Sequence, residues 1–203
     1  MRKPTPEGGP ERLVTLADGV FAIAITLLVL DLSVPPGLDS AAYHEALREV
    51  LPNLGAYGIS LGVLAGFWRD HRMIFSGVRQ VDAQVVLLTM LGLGLAALLP
   101  FPTTLVSDYG HETVSVVVYA ATVASLGTVH LVLLLVITRR PWLCGDEQPR
   151  RNATYSALDM GSTVAVFLVT IPLALLMGPA AMWWWLVLVP VKVWLGRREV
   201  AAR

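Results

Sequence analysis

The sequence has little charge and almost no cysteine. Charged residues make up 15 % of it, where a soluble domain carries about 25 %. The 15 Lys and Arg residues equal the 15 Asp and Glu residues, so the chain has no basic excess of the kind that binds nucleic acid. The one cysteine, Cys144, cannot form an internal disulfide and has no neighbouring set of metal ligands.

Motifs of common catalytic sites are also missing. The sequence contains no Gly-rich phosphate loop, no H-E-x-x-H, no G-x-S-x-G and no pair of carboxylates on one face of an apolar helix. Acids and histidines within the apolar runs are too few for a catalytic centre or a proton relay. We therefore predict that the protein is not an enzyme and needs no cofactor and no resident metal.

Apolar residues dominate instead. They make up 55 % of the chain, and the mean hydropathy is +0.65. Several apolar runs are long enough to cross the roughly 30 Å hydrocarbon core of a bilayer. The pattern predicts an all-α integral membrane protein with a single domain of six transmembrane helices. Their approximate spans are 13–32, 53–70, 83–106, 114–138, 157–177 and 180–196.

Basic residues indicate the orientation of these helices. Every Lys and Arg except Arg48 lies at a terminus, near the end of the second or last predicted helix, or in the loop after the second or fourth. Loops rich in Lys and Arg stay on the cytoplasmic side of a membrane. We therefore predict that the N and C termini are both cytoplasmic.

The first predicted helix has two distinct faces. At about 100° per residue, Ile23, Leu27 and Leu30 form one stripe with Thr26 at its edge, and Asp18 lies on the opposite side. An unpaired carboxylate two turns into the helix would cost several kcal/mol, so Asp18 needs a partner.

Arg12 or His71 is the expected cation for Asp18. We predict a polar network at the cytoplasmic end of the bundle, which either fixes the helices together, takes part in gating, or does both. Its members are Arg12, Asp18, Trp68, His71 and Asp82.

Three segments resemble those of a known family. The segment from Arg12 to Leu28, RLVTLADGVFAIAITLL, resembles the first-helix signature R-x-x-x-F-S-D of the transmembrane protein 175 family of lysosomal and bacterial potassium channels. The resemblance continues at Trp68-x-x-His71 and at the segment LLPFPT over 98–103. The chain departs from the family pattern at Leu16, Ala17 and Thr89, which replace an aromatic residue, a serine and an asparagine.

The resemblance implies a homotetramer in the plasma membrane of a bacterium, with the first helix of each subunit lining a central pore. Such channels have no re-entrant P-loop, and nothing like T-V-G-Y-G occurs in this sequence. Rings of Ile23, Leu27 and Leu30 would then form a hydrophobic gate that closes the pore by excluding water. By the same resemblance, Thr26 is the selectivity position, where K⁺ would lie transiently and be favoured modestly over Na⁺.

Two other functions fit the residue pattern alone. One is a small secondary transporter, although no inverted repeat and no acid at the bilayer centre are visible. The other is a non-conducting oligomeric membrane protein. In either case Ile23, Leu27 and Leu30 would face lipid or the protein core, and Thr26 would bond only to its own backbone.

Overall fold

The computed structural model describes residues 9–144 and 149–201, and all of its regular structure is helical. The predicted all-α fold is therefore confirmed for this part of the chain. The α-helices are α1 (Pro10–Leu28), α2 (Ser40–Phe75), α3 (Ala83–Leu98), α4 (Pro100–Asp108), α5 (Thr113–Arg139), α6 (Pro149–Met177) and α7 (Leu188–Ala201). Three segments form 3₁₀-helix: Val29–Asp31, Pro141–Leu143 and Gly178–Val187.

Local chemistry accounts for several helix ends. Pro10 begins α1, where its missing N–H costs nothing. Asp39 and Asp82 cap α2 and α3 by accepting hydrogen bonds from Ala42 N at 2.8 Å and Val85 N at 2.9 Å. Gly178 follows the end of α6 with φ +67°, a left-handed conformation that suits glycine.

The helix bounds differ from the predicted spans most clearly at two places. The second predicted span begins at residue 53, but the 36-residue helix α2 begins at Ser40 and so includes most of the segment between the first two predicted spans. The last predicted span begins as a ten-residue 3₁₀ segment, Gly178–Val187, and becomes α-helical only at Leu188.

Four helical runs of the described chain are long and apolar enough to cross a membrane. They are Ser40–Phe75, Ala83–Asp108, Thr113–Arg139 and Thr154–Leu195. The chain is therefore a multi-pass membrane protein.

The core lies where α1, α2 and α5 meet the later helices. Its largest fully buried side chains include Phe21 of α1, Tyr119 of α5 and Phe167 of α6. A buried chain of hydroxyl groups crosses this core, with Ser60 Oγ 3.0 Å from Tyr119 Oη and 2.8 Å from Thr103 Oγ1. These contacts hold the segment after Pro100 against α2 and so fix the wall on which α1 packs.

Candidate functional site

One face of α1 is packed into the chain and the other is open. Ala17, Phe21, Ala24 and Leu28 are at most 2 % exposed and belong to the core. They follow one another at intervals of three or four residues, so they form one stripe of the helix. This stripe attaches α1 to α2 and α3.

The predicted gate residues lie on the open face. The side chains of Ile23, Leu27 and Leu30 are 61 %, 41 % and 69 % exposed. Leu30 belongs to the 3₁₀ turn that follows the α-helix. The structure therefore places all three on one aliphatic surface that the described part of the same chain leaves uncovered.

Thr26 is exposed beside these aliphatic residues. Its hydroxyl donates a hydrogen bond of 2.8 Å to the carbonyl oxygen of Ile23. A threonine hydroxyl has one hydrogen and two lone pairs. Because the hydrogen is used within the helix, only the lone pairs of this exposed oxygen remain for another group.

Asp18 is joined to α2 by two side chains. Trp68 Nε1 donates to Asp18 Oδ1 at 2.7 Å, and Arg72 Nη1 lies 3.1 Å from Asp18 Oδ2. The guanidinium of Arg72 also lies 5.5 Å from the centre of the Trp68 ring, a cation–π distance. Arg12 and His71 were the expected partners of Asp18; the structure places Trp68 and Arg72 at this carboxylate, one turn apart on the same face of α2.

His71 lies inside the protein and not beside Asp18. It is 2 % exposed and stacks on Phe75, with ring centroids 4.7 Å apart and ring planes 10° apart. Its ring meets Phe21 and His130 edge to face, at 6.4 Å and 5.9 Å. Among the described residues neither ring nitrogen of His71 has a hydrogen-bond partner.

The two sides of α2 explain this separation. Phe67, His71 and Phe75 recur at intervals of four and are all at most 5 % exposed, so they form the buried stripe. Trp68 and Arg72 come one residue later and form the adjacent stripe, which faces Asp18.

Asp82 forms a different connection. It caps α3 and pairs with Arg140 at the end of α5. Arg140 also donates to Gln84 Oε1 at 2.5 Å. Asp82 thus attaches the start of α3 to the end of α5, while Arg12 lies exposed in the first turn of α1.

Sequence reasoning missed three residues of these contacts: Arg72, His130 and Arg140. For Arg72 a signal was present, since it follows Trp68 by four residues. No local pattern connects His130 with His71, which is 59 positions earlier. Thr89, which stands where the family pattern has asparagine, is 2 % exposed, and its hydroxyl has no partner among the described residues.

Comparison with known proteins gives consistent matches. A family model described as "Endosomal/lysosomal potassium channel TMEM175" matches residues 12–100. A potassium channel from Chamaesiphon minutus is 36 % identical over 100 residues, which cover 48 % of this chain and 49 % of that one.

Two further matches extend over nearly the whole chain. The crystal structure of a lysosomal potassium-selective channel TMEM175 homolog from Chamaesiphon minutus superposes with a TM-score of 0.76 and 25 % identity, covering 93 % of this chain and 97 % of that one. A potassium channel from Streptomyces collinus is 32 % identical over 203 residues, covering 94 % of this chain and 97 % of that one. The chain therefore belongs to the TMEM175 family.

Proposed function

We propose that this chain is a subunit of a bacterial potassium channel and that four copies surround a pore lined by α1. The observation that carries the proposal is the open aliphatic face of α1, on another side of the helix from a stripe of four residues that are each at least 98 % buried. A symmetric ring of subunits would cover the open face or turn it toward a shared axis. Relatives named potassium channels support the assignment of the ion.

The gate follows from the side chains on that face. Four copies of Ile23 would form a ring of branched aliphatic groups, with rings of Leu27 and Leu30 on successive turns. Hydrophobic constrictions of this kind close a pore by losing their water. Opening then requires the α1 helices to move apart in the manner of an iris.

Selectivity would arise at Thr26. Four Thr26 oxygens, each with its hydrogen held by the Ile23 carbonyl, could replace part of the hydration of an ion. K⁺ gives up water more readily than Na⁺ does. One layer of hydroxyl groups offers few ligands, so the expected preference for K⁺ is modest.

The topology that goes with this function has six spans. The first would be α1, which carries Glu11, Arg12 and Asp18 in addition to its apolar residues. The run Thr154–Leu195 has 42 residues, roughly 60 Å of helix, about twice a hydrocarbon core. Because Gly178 breaks this run, it supplies the fifth and sixth spans, with both termini cytoplasmic by the distribution of Lys and Arg.

Ion flux through the reconstituted protein tests the function. The purified chain is placed in liposomes with K⁺ inside and an impermeant cation outside, and the flux is followed with a voltage-sensitive dye. We expect flux driven by the K⁺ gradient alone, larger for K⁺ than for Na⁺. Flux that requires a second substrate gradient would instead identify a transporter, and the absence of flux would identify a non-conducting protein.

A further inference from the structure

Three side chains of the core carry polar atoms that have no partner among the described residues. They are His71 of α2, Thr89 of α3 and His130 of α5, and each of them is 2 % exposed. The atoms are both ring nitrogens of His71, Nε2 of His130 and the hydroxyl oxygen of Thr89. Because buried polar groups of proteins bond either to protein or to ordered water, these four atoms indicate a ligand.

The hydrogen bond that His130 does make defines the role of its second nitrogen. Nδ1 lies 3.0 Å from the carbonyl oxygen of Leu126. A carbonyl oxygen can only accept, so Nδ1 carries the hydrogen of the ring. The other nitrogen of a neutral imidazole then has a lone pair and no hydrogen. Nε2 of His130 therefore needs a donor.

Thr89 is placed by its neighbours on the buried stripe of α3. Gly92, one turn later, faces His130, since a Cβ added to Gly92 would lie 3.4 Å from His130 Cε1. Val85, one turn earlier, belongs to the same buried cluster as Phe75. Thr89 therefore lies at a level between His130 and Phe75.

His71 lies at the same level. Its ring stacks on Phe75 and meets His130 edge to face, with ring centroids 5.9 Å apart. One water that makes two hydrogen bonds of about 2.9 Å joins nitrogen atoms up to about 6 Å apart. The separation of the two imidazole rings is therefore suited to a single bridging water.

A metal ion does not suit these side chains. Zinc takes four ligands, among which histidine, cysteine and carboxylates are usual. The part of the chain that the structure describes contains no group of three or more such residues. Water needs less, because a buried water makes about three hydrogen bonds to polar groups that otherwise have no partner.

We propose that His71, Thr89 and His130 bind a buried water molecule at the junction of α2, α3 and α5. The water donates to Nε2 of His130 and also bonds to a ring nitrogen of His71 and to the hydroxyl group of Thr89. Phe21 of α1 meets the His71 ring edge to face at 6.4 Å, so the water lies behind the buried stripe of α1.

Stability measurements alone do not reveal such a water. The cost of ordering a water offsets part of the hydrogen bonds that it makes, and a larger apolar side chain can expel it. The test must therefore detect the water itself.

Solid-state NMR of the full chain in lipid bilayers provides this test. The protein is labelled with ¹⁵N-histidine, and magnetisation is transferred from water protons to the ring nitrogens. The chain has four histidines, and the signals of His71 and His130 are assigned by their loss in His71→Phe and His130→Phe. We expect transfer from water to both buried rings. Absence of transfer to His130 and His71 in the unsubstituted protein would overturn the proposal.

Thr89→Val tests the third member of the site, since it keeps the branched shape of threonine and removes the hydroxyl group. We expect the transfer from water to His130 to fall about twofold or more, because the water loses one of about three hydrogen bonds. Thr122→Val is the matched control. Thr122 is also buried, at 8 % exposure, but its hydroxyl donates to the Val118 carbonyl oxygen at 2.9 Å.

Transfer that is unchanged in Thr89→Val, or that falls equally in both valine variants, would contradict the site as proposed. The measurement on the unsubstituted protein does not require that either valine variant folds. None of these measurements depends on ion flux, so their outcome is independent of the proposed channel function.

Discussion

Asp18 of α1 and Arg72 of α2 form an ion pair, with Arg72 Nη1 3.1 Å from Asp18 Oδ2. The same carboxylate accepts a hydrogen bond from the Trp68 indole at 2.7 Å. The helix proposed to line the pore is thus attached at one end to α2 by two polar contacts, while its aliphatic face stays open. Motion of α1 relative to α2 would change these contacts first.

Removal of the ion pair is expected to have a small effect on stability. The side chains of Asp18 and Arg72 are 38 % and 53 % exposed, and ion pairs of this exposure contribute about 0–1 kcal/mol. Arg72→Ala should therefore lower the free energy of unfolding by no more than about 1 kcal/mol, measured in detergent, and raise the leak of the closed channel. Arg72→Lys should restore most of the stability and most of the low leak. An Arg72→Ala protein that fails to fold would contradict this account.

Thr26→Ala should lower the K⁺-to-Na⁺ permeability ratio and leave conduction intact, since it removes one layer of oxygen ligands. Thr15→Ala is the matched control, because the Thr15 hydroxyl also donates within α1, to Glu11 O at 2.9 Å. Permeability ratios are taken from reversal potentials under bi-ionic conditions. An unchanged ratio for Thr26→Ala, or an equal decrease for both variants, would remove Thr26 from the selectivity position.

Ile23→Asn should increase leak through the closed channel, because a polar side chain allows water to remain in the constriction. Val29→Asn is the control. Val29 is also exposed, at 47 %, but its direction differs from that of Ile23 by about 120° around the helix. Liposome flux without an activating stimulus is the measurement, and an equal leak from both variants would exclude Ile23 from the gate.

His71 should stabilise the fold by the packing of its ring and not by hydrogen bonds of its ring nitrogens. His71→Ala removes a buried ring that stacks on Phe75, so we expect a loss of about 2–4 kcal/mol of unfolding free energy. His71→Phe keeps a ring and loses no hydrogen bond to a described residue, so the loss should be much smaller. Thermal unfolding in detergent compares the two, and permeability ratios should be unchanged. Equal destabilisation by both substitutions would show that the ring nitrogens matter.

Gly127 is expected to tolerate no side chain. A Cβ there would lie 2.8 Å from Val164 Cγ2, where α5 packs against α6. Gly127→Ala should cost about 1–3 kcal/mol. Gly161→Ala, where a Cβ meets nothing within 4 Å, should be neutral or stabilise α6 by up to about 1 kcal/mol. The comparison is made by thermal unfolding, and similar stabilities would contradict the packing described for α5 and α6.

The properties that could be inferred from the sequence depend on neighbouring residues along one helix. Apolar runs of membrane length are visible in the order of the residues, and so are the two faces of α1, because a helix repeats every 3.6 residues. The stripe Ile23, Leu27 and Leu30 is accordingly exposed, and the buried stripe lies on another side of the same helix. The family could also be inferred, since its motifs are short and contiguous.

The partner of Asp18 could not be found in this way. One candidate cation, Arg12, lies on α1 itself, and two others, His71 and Arg72, lie some fifty positions later on α2. Which residue of α2 faces Asp18 depends on how α2 is rotated about its axis. That rotation is set by burial: Phe67, His71 and Phe75 pack inward, where His71 and Phe67 meet His130 of α5. With that stripe in the core, Trp68 and Arg72 face Asp18. The packing of aromatic rings that are distant in the chain therefore determines which side chains of α2 pair with Asp18.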